Sequence, residues 1–322
     1  MATAEFAHAP VLLEECLAWL AVQPGAIVVD GTVGGAGHAD AILRRSPADT
    51  RLIGLDRDPE ALDAARERLA GYGARVQLLH GSFADLPERL AELGVTAVDA
   101  VLLDLGVSSH QLDTPRRGFR FGESSAARTP LDMRMDPTSD VDAAALLARA
   151  SAEQLEDWLR RYADLRGARR LARALVAARE RAPLRTAADL VAVVRDARVG
   201  GGRRHDPATL VFQALRIATN DELGALERGL AAAIDLLVPG GRLVVIAYHS
   251  GEDRIVKDRF RHAETGGWTG PSHLPVPPDV TPTVRLLRRG AWRPSAAETA
   301  ENPRAEAARL RAVEKLDLQE VA

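Results

Sequence analysis

Three aspartates each close a short apolar run: Asp30 after Ala26–Val29, Asp56 after Leu52–Leu55, and Asp104 after Val98–Leu103. A carboxylate at the end of such a run can accept hydrogen bonds from a ligand's hydroxyls or amine. Asp30 runs into a glycine-rich stretch, Gly31–Gly37, with a helix expected from near His38. Glycines let backbone approach a ligand closely, and a helix start offers free N–H groups. Asp56 suits the two hydroxyls of a ribose. These features fit both a dinucleotide site and an S-adenosylmethionine site. The second is favoured on two grounds. Asp30 stands where a carboxylate could face a cationic amino-acid moiety but would repel a pyrophosphate. The glycine spacing also does not match G-x-G-x-x-G.

Asp104 could bind a ligand amine, hold a nucleophile in line, or simply order the loop after it. The amino-methyltransferase signature of Asp or Asn followed by Pro-Pro and an aromatic is absent, so these residues leave the nucleophile unidentified. A third polar cluster, Tyr248-His249-Ser250-Gly251-Glu252-Asp253-Arg254, follows another apolar run. It contains no metal-ligand spacing, and neighbouring His249 and Ser250 make no hydrolase triad. Ser250 is expected to cap a helix with Glu252 and Asp253 in its first turn. No metal site is expected.

The elements that must position these groups read as a parallel α/β sheet. Short apolar runs at 26–29, 52–55, 76–79, 98–103 and 243–248 alternate with helical patterns through residue 93, the mark of a sheet covered on both faces. After Asp104 the alternation stops. Residues 107–140 are irregular, and 142–149, 152–163, 167–181 and 186–197 are helical. A basic glycine loop at 200–204 precedes a helix over 207–237 with a break near Thr219-Asn220. Residues 266–283 read as loop, 284–287 as a late strand, and 304–315 as a short helix. The expected organisation is a discontinuous domain, 1–110 with 208–322, interrupted by a helical insert, 111–207.

At 322 residues and 46% hydrophobic, the chain has the composition of an ordinary globular protein of about two domains. It shows no signal peptide and no run long enough to span a membrane. Its single cysteine, Cys16, excludes an internal disulfide and points to a cytoplasmic setting. Net charge is −3, but residues 160–204 hold 13 arginines against Asp164, Glu180, Asp189 and Asp196, a balance of +9 that leaves −12 elsewhere. Such a segment is either a polyanion-binding face or a solvated helix face.

Several runs carry a resemblance. His8-Ala-Pro-Val-Leu-Leu-Glu-Glu15, Asp104-Leu-Gly-Val-Ser-Ser109 with Gln111-Leu-Asp113, Arg117-Gly-Phe119, Pro130-Leu-Asp-Met-Arg-Met-Asp136, Phe212-Gln-Ala-Leu-Arg216, His249-Ser250 with Glu252-Asp-Arg-Ile-Val-Lys257, and Asn302-Pro-Arg304 resemble the MraW/RsmH family over roughly 8–315. The resemblance implies a Rossmann-like class I S-adenosylmethionine methyltransferase fold with an all-helical insert. The implied reaction methylates the N4 amine of a cytosine in the decoding region of 16S ribosomal RNA. It implies cofactor contacts at Ala36, Gly37, His38, Asp56, Phe83, Asp104 and Gln111, with Asp104 also the candidate catalytic acceptor. Phe119, Arg134, Arg216, His249 and Ser250 are candidate substrate contacts; Phe119 or Phe121 would stack on the base or pack beneath the long loop. The implied partner is the small ribosomal subunit, with neither membrane nor protein partner indicated.

The chain departs from the family pattern at Ala36, Arg120, Leu210, Gly251 and Glu306. Three alternatives stay open at this stage: methylation of a different RNA, a non-methylating RNA-binding assembly factor, and, from the glycine loop alone, a nicotinamide-dependent oxidoreductase.

Overall fold

The computed structural model describes residues 10–120, 129–200, 206–270 and 280–317. It divides into two compact units, one formed by Met1–Gly106 with Leu223–Ala322 and the other by Val107–Glu222. The helical unit therefore begins earlier and ends later than an insert of 111–207 would: it takes in residues 107–110 and the helix beginning at Pro207. That helix packs on other helices of its own unit.

The first unit runs α1 (Leu13–Leu20), β1 (Ile27–Asp30), α2 (Gly37–Arg45), β2 (Arg51–Asp56), α3 (Pro59–Leu69), β3 (Val76–His80), α4 (Leu86–Ala91) and β4 (Val98–Asp104). After the helical unit, α5 (Ser109–Asp113) through α10 (Pro207–Asn220), it resumes with α11 (Glu222–Leu236), β5 (Leu237–Ala247), α12 (Ser250–Glu264), β6 (Val284–Leu286), α13 (Ala296–Glu301) and β7 (Arg309–Lys315). The sheet order is β3-β2-β1-β4-β5-β7-β6. The first five strands are parallel, and β7 runs antiparallel between β5 and β6. This is the Rossmann-like methyltransferase fold.

The short apolar runs become strands because both of their faces are buried. Successive side chains point to opposite faces. Val28, Leu52, Leu102 and Val244 join a core with Cys16, Ile42 and Leu62 from α1, α2 and α3. Val29, Ile53, Leu103 and Val245 join the other core, with Leu86, Leu230 and Phe260 from α4, α11 and α12. The stretch 309–315, expected as helix, is the strand β7. Its Arg, Ala, Glu and Lys favour helix locally, but ladders to β5 and β6 on both sides decide its conformation.

The helical unit carries α6 (Ala143–Arg149), α7 (Ala152–Ala163), α8 (Ala168–Arg181) and α9 (Ala187–Asp196) around one core that includes Leu147, Leu159, Leu171, Leu190 and Leu215. Side-chain caps fix where the helices start: Ser151 and Thr186 close capping boxes, and Asp206 caps α10 ahead of Pro207. Asp221, at φ 47°, ends α10 in the left-handed conformation. The irregular stretch is held by a buried clasp. Arg117 donates to the carbonyls of Arg134 (3.1 Å) and Met135 (2.9 Å), while Asn220 accepts from the Met135 N–H and donates to the Met133 carbonyl, each at 2.7 Å. Gly118 (φ +74°) is required there, since a Cβ would lie 2.4 Å from the Pro130 carbonyl oxygen.

Candidate functional site

The carboxyl ends of β1, β2 and β4 bring Asp30, Asp56 and Asp104 to one edge of the sheet, the edge where open α/β sheets bind ligands. The loop after β1 is stitched to both neighbouring strands. Gly31 N–H donates to the Leu102 carbonyl (2.9 Å) and Val33 N–H to the Leu55 carbonyl (2.8 Å). From α3, Arg68 reaches across to the Gly35 carbonyl and to Asp40.

Glycine is needed at two loop positions for space. A Cβ on Gly31 would stand 2.5 Å from Leu103 Cδ2, and one on Gly37 would stand 2.7 Å from Pro10 Cγ. Ala36 sits between them at φ 59°, ψ 30°, fully buried. A left-handed alanine costs about 1–2 kcal/mol relative to its ordinary conformation. Here the Cβ is accommodated within the apolar core on that face of the sheet.

The acids differ in their surroundings. Asp30 is buried, and loss of solvation raises its pKa to about 7 despite the Thr32 N–H it accepts; the charges of Asp104 and Asp56 add to the rise. Asp56 is raised to about 6 by burial, opposed by the N–H groups of Asp58 and Gly34 at 2.9 and 2.8 Å. Asp56 therefore clamps the glycine loop to the start of α3, as well as standing where ribose hydroxyls would be held. Burial likewise raises Asp104, and His38 and Tyr248 pull it back.

Asp104 is held on three sides. Its N–H donates to Thr32 Oγ1 (2.7 Å), Oδ1 accepts from the Tyr248 hydroxyl (2.8 Å), and Oδ2 lies 3.6 Å from His38 Nδ1. His38 Nε2 is 3.0 Å from the Val11 carbonyl oxygen. Phe83 follows β3 with its ring against α11: a Cβ on Gly229 would meet the ring at 2.4 Å.

The Tyr248–Arg254 cluster is built differently from the sequence expectation. The cap of α12 is His249, not Ser250. His249 Nδ1 accepts from the N–H groups of Gly251 and Glu252, and the Glu252 carboxylate accepts from those of Tyr248 and His249. The imidazole folds over position 251, where even a Cβ would come within 3.0 Å of it, so glycine there goes with a histidine cap. Glu252 and Asp253 stand in the first turn of α12 as expected, and Asp253 in addition pairs with Arg309 and Arg311 of β7. Tyr248, His249 and Ser250 line a cavity of about 120 Å³ with Arg293, Glu306 and Arg309.

The remaining candidates lie on the helical unit. Gln111 completes a capping box with Ser108 at the start of α5. Phe119 is buried in the helical core with the Arg117 guanidinium over its ring, which is the packing beneath the loop that was the alternative to stacking on a base. Arg134 forks onto Asp132 and Arg216 onto Glu222, both bidentate. All four side chains are engaged within the helical unit. Arg120 is exposed and pairs with Asp113, and Leu210 packs on the helical core. Phe121, Arg203 and Arg204 lie outside the described residues.

Arg166, Arg169, Arg170 and Arg173 are exposed at the start of α8, which has no acid in its first turn. Cations there oppose the helix dipole, so this concentration is not explained by helix stability.

The model of the MraW methylase family matches residues 5–316. The chain belongs to the MraW methylase family. Relatives at this level span its whole length. A protein of Pelobacter propionicus named Ribosomal RNA small subunit methyltransferase H is 50% identical over 317 residues, covering 97% of this chain and 100% of the relative. The protein of the same name from Geobacter sulfurreducens is 49% identical, covering 97% and 99%. That of Thermobifida fusca is 48% identical, covering 96% and 93%.

The cofactor of this methylase fold is S-adenosyl-L-methionine, and the residues present fit it. The cradle at Gly31 and Gly37 admits no side chain, and Asp30 is a buried carboxylate that accepts the Thr32 N–H.

Proposed function

We propose that this MraW-family chain transfers a methyl group from S-adenosyl-L-methionine to the exocyclic N4 of a cytosine in the decoding region of 16S ribosomal RNA. The small ribosomal subunit is the partner and the cytoplasm the setting. The observation that carries the reading is the Asp104 carboxylate, fixed by Tyr248, His38 and Thr32 at the sheet edge beside the glycine cradle. The ribosomal target is supported by the name shared by relatives of about half identity that match nearly end to end. Among the described residues no helix is long and apolar enough to cross a membrane.

When bound, S-adenosyl-L-methionine supplies an electrophilic methyl on a sulfonium. The chain's residues supply the rest. Ala36, Gly37 and His38 shape the loop against the cofactor, Asp56 takes ribose hydroxyls, and Phe83 and Gln111 complete the cofactor contacts. Asp30 faces the positive charge of the amino-acid moiety, which brings its proton affinity back down.

Cytosine N4 is a weak nucleophile because its lone pair is delocalised into the ring. Alignment and proton acceptance therefore carry the rate. Asp104 accepts the N–H as the N4–carbon bond forms, and burial, which raises its proton affinity, suits it to that step. The base must be splayed from its stack to reach the sheet edge. His249 and Ser250, beside the cavity under Tyr248, lie where an adjoining nucleotide would be held. The exposed arginines of α8 contact phosphates.

Asp104→Ala should abolish methylation while the protein stays folded. Mass spectrometry of nucleosides from a strain lacking the enzyme, complemented with wild type or variant, reads this directly. Restoration of N4-methylated cytidine by the variant would remove Asp104 from its role. A methyl on another nucleoside would shift the target to a different RNA position. Binding of S-adenosyl-L-methionine with no methyl on any RNA would leave the assembly-factor reading. The Asp104 surroundings weigh against that reading, because Tyr248, Thr32 and His38, which hold it, are not among the departures from the family pattern.

A further inference from the structure

Two groups face the Asp104 oxygens, and they differ in what they can donate. His38 Nε2 lies at hydrogen-bond distance from the Val11 carbonyl oxygen, which can only accept, so that nitrogen carries the hydrogen. Nδ1, the nitrogen facing Asp104 at 3.6 Å, then holds a proton only when the ring is an imidazolium. A neutral His38 therefore turns a lone pair towards the carboxylate. The Tyr248 hydroxyl is 2.8 Å from the other oxygen. Burial and the Asp104 charge hold its proton well above the ordinary tyrosine range, so it donates throughout neutral and mildly alkaline conditions. The remaining charged and titratable groups facing Asp104 are Glu252 from α12, Asp30 from β1 and Cys16 from α1, and each opposes its ionisation or has its own opposed.

We infer that Tyr248 is a positioning residue for the methyl-transfer site: its hydroxyl is the donor that keeps the Asp104 carboxylate oriented and ionised. The carboxylate thus has two neighbours, His38 from α2 at 3.6 Å and, closer, the Tyr248 hydroxyl from the end of β5 at 2.8 Å. The inference rests on the reading that Asp104 contacts the cofactor, and the test separates the two.

The test is calorimetric binding of S-adenosyl-L-methionine to the protein without RNA, across pH, for wild type, Tyr248→Phe and Asp104→Asn. A charge-assisted hydrogen bond of this kind is equivalent to a shift of about one pH unit. In wild type, affinity should fall as acid protonates Asp104. In Tyr248→Phe the midpoint of that fall should move up by about one unit, with affinity converging on wild type at the alkaline end. An unmoved midpoint would overturn the inference. So would an affinity loss equal at every pH, which would make the tyrosine a packing group only. Asp104→Asn should abolish the component of the pH dependence that Tyr248→Phe shifts, leaving the component that Asp30 contributes. If it leaves both affinity and pH dependence as in wild type, the reading of Asp104 as a cofactor contact fails instead.

Discussion

The Asp30→Asn substitution should make the protein more stable and its cofactor site worse, with the gain growing from acid towards alkaline conditions. Asp30 is buried and its pKa rises from an ordinary 3.8 to about 7 on folding. Because the folded value is the higher one, its contribution is intact below about pH 4 and is withdrawn as pH climbs through 7. At about pH 5 the aspartate has cost the fold roughly 1.2 pH units, and at about pH 8.5 the full difference of about 3.2 units. The variant's advantage over wild type should therefore grow by about 2 units, or about 3 kcal/mol, between those conditions. The growth is the quantity to measure, because any constant effect of the amide cancels from it.

Urea unfolding followed by tryptophan fluorescence measures it. Trp19 and Trp292, in edge-to-face contact at 6.1 Å, report on the sheet unit. A Trp158→Phe background removes the tryptophan of α7 in the helical unit. Equal variant-minus-wild-type differences at the two pH values would refute the reasoning, and so would a difference that grows towards acid. The same variant should bind S-adenosyl-L-methionine more weakly, since the charge facing the cofactor's cation is gone.

Other perturbations reach the remaining parts. Gly229→Ala should push the Phe83 ring aside, because a Cβ there meets it at 2.4 Å; loss of affinity for S-adenosyl-L-methionine, read by calorimetry, would support Phe83 as a cofactor contact, and unchanged affinity would oppose it. Asn220→Ala leaves the Met133 carbonyl and Met135 N–H of the clasp without their 2.7 Å partner. It should cost the helical unit about 2–3 kcal/mol in urea unfolding. Replacing Arg166, Arg169 and Arg173 together by Gln should flatten the salt dependence of RNA binding, lowering the log–log slope by about 2. An unchanged slope would place the phosphate contacts elsewhere.

Much of the sheet was legible because its strands are short apolar runs closed by an acid, a pattern that two-sided burial imposes on parallel strands. The strand β7 was not, since Arg309-Leu-Arg-Ala-Val-Glu-Lys315 is locally indistinguishable from helix and becomes a strand only through partners 70 residues upstream and 30 residues upstream, as in Arg242 opposite Glu314 and Val284 opposite Lys315. In the site, Asp30, Asp56, His38 and Asp104 could be read from strand ends and the loop. The tie of Tyr248 to Asp104 joins residues 144 apart and left no local signal. The partners of the arginines were hidden for a related reason. Arg134 and Arg216 look free in a sequence, and only the fold sets Asp132 and Glu222 against their forks. The α5 capping box, Ser108 with Gln111, had a readable Ser-x-x-Gln pattern inside a stretch taken as irregular.

The discontinuity of the sheet unit has a consequence for synthesis on the ribosome. Its first four parallel strands emerge before Val107, but the neighbour that β4 needs begins at Leu237, after the whole helical unit. At roughly 5–20 residues per second, that delay lasts on the order of ten seconds, during which the apolar flank of β4 has no partner strand. The gap-filling strand β7, which seats β6 against the rest, comes later still. The helical unit, contiguous and with a core of its own, can mature inside that interval. The nascent chain thus completes its insert before its frame, and the exposed edge of β4 is the place where a chaperone would have most to shield.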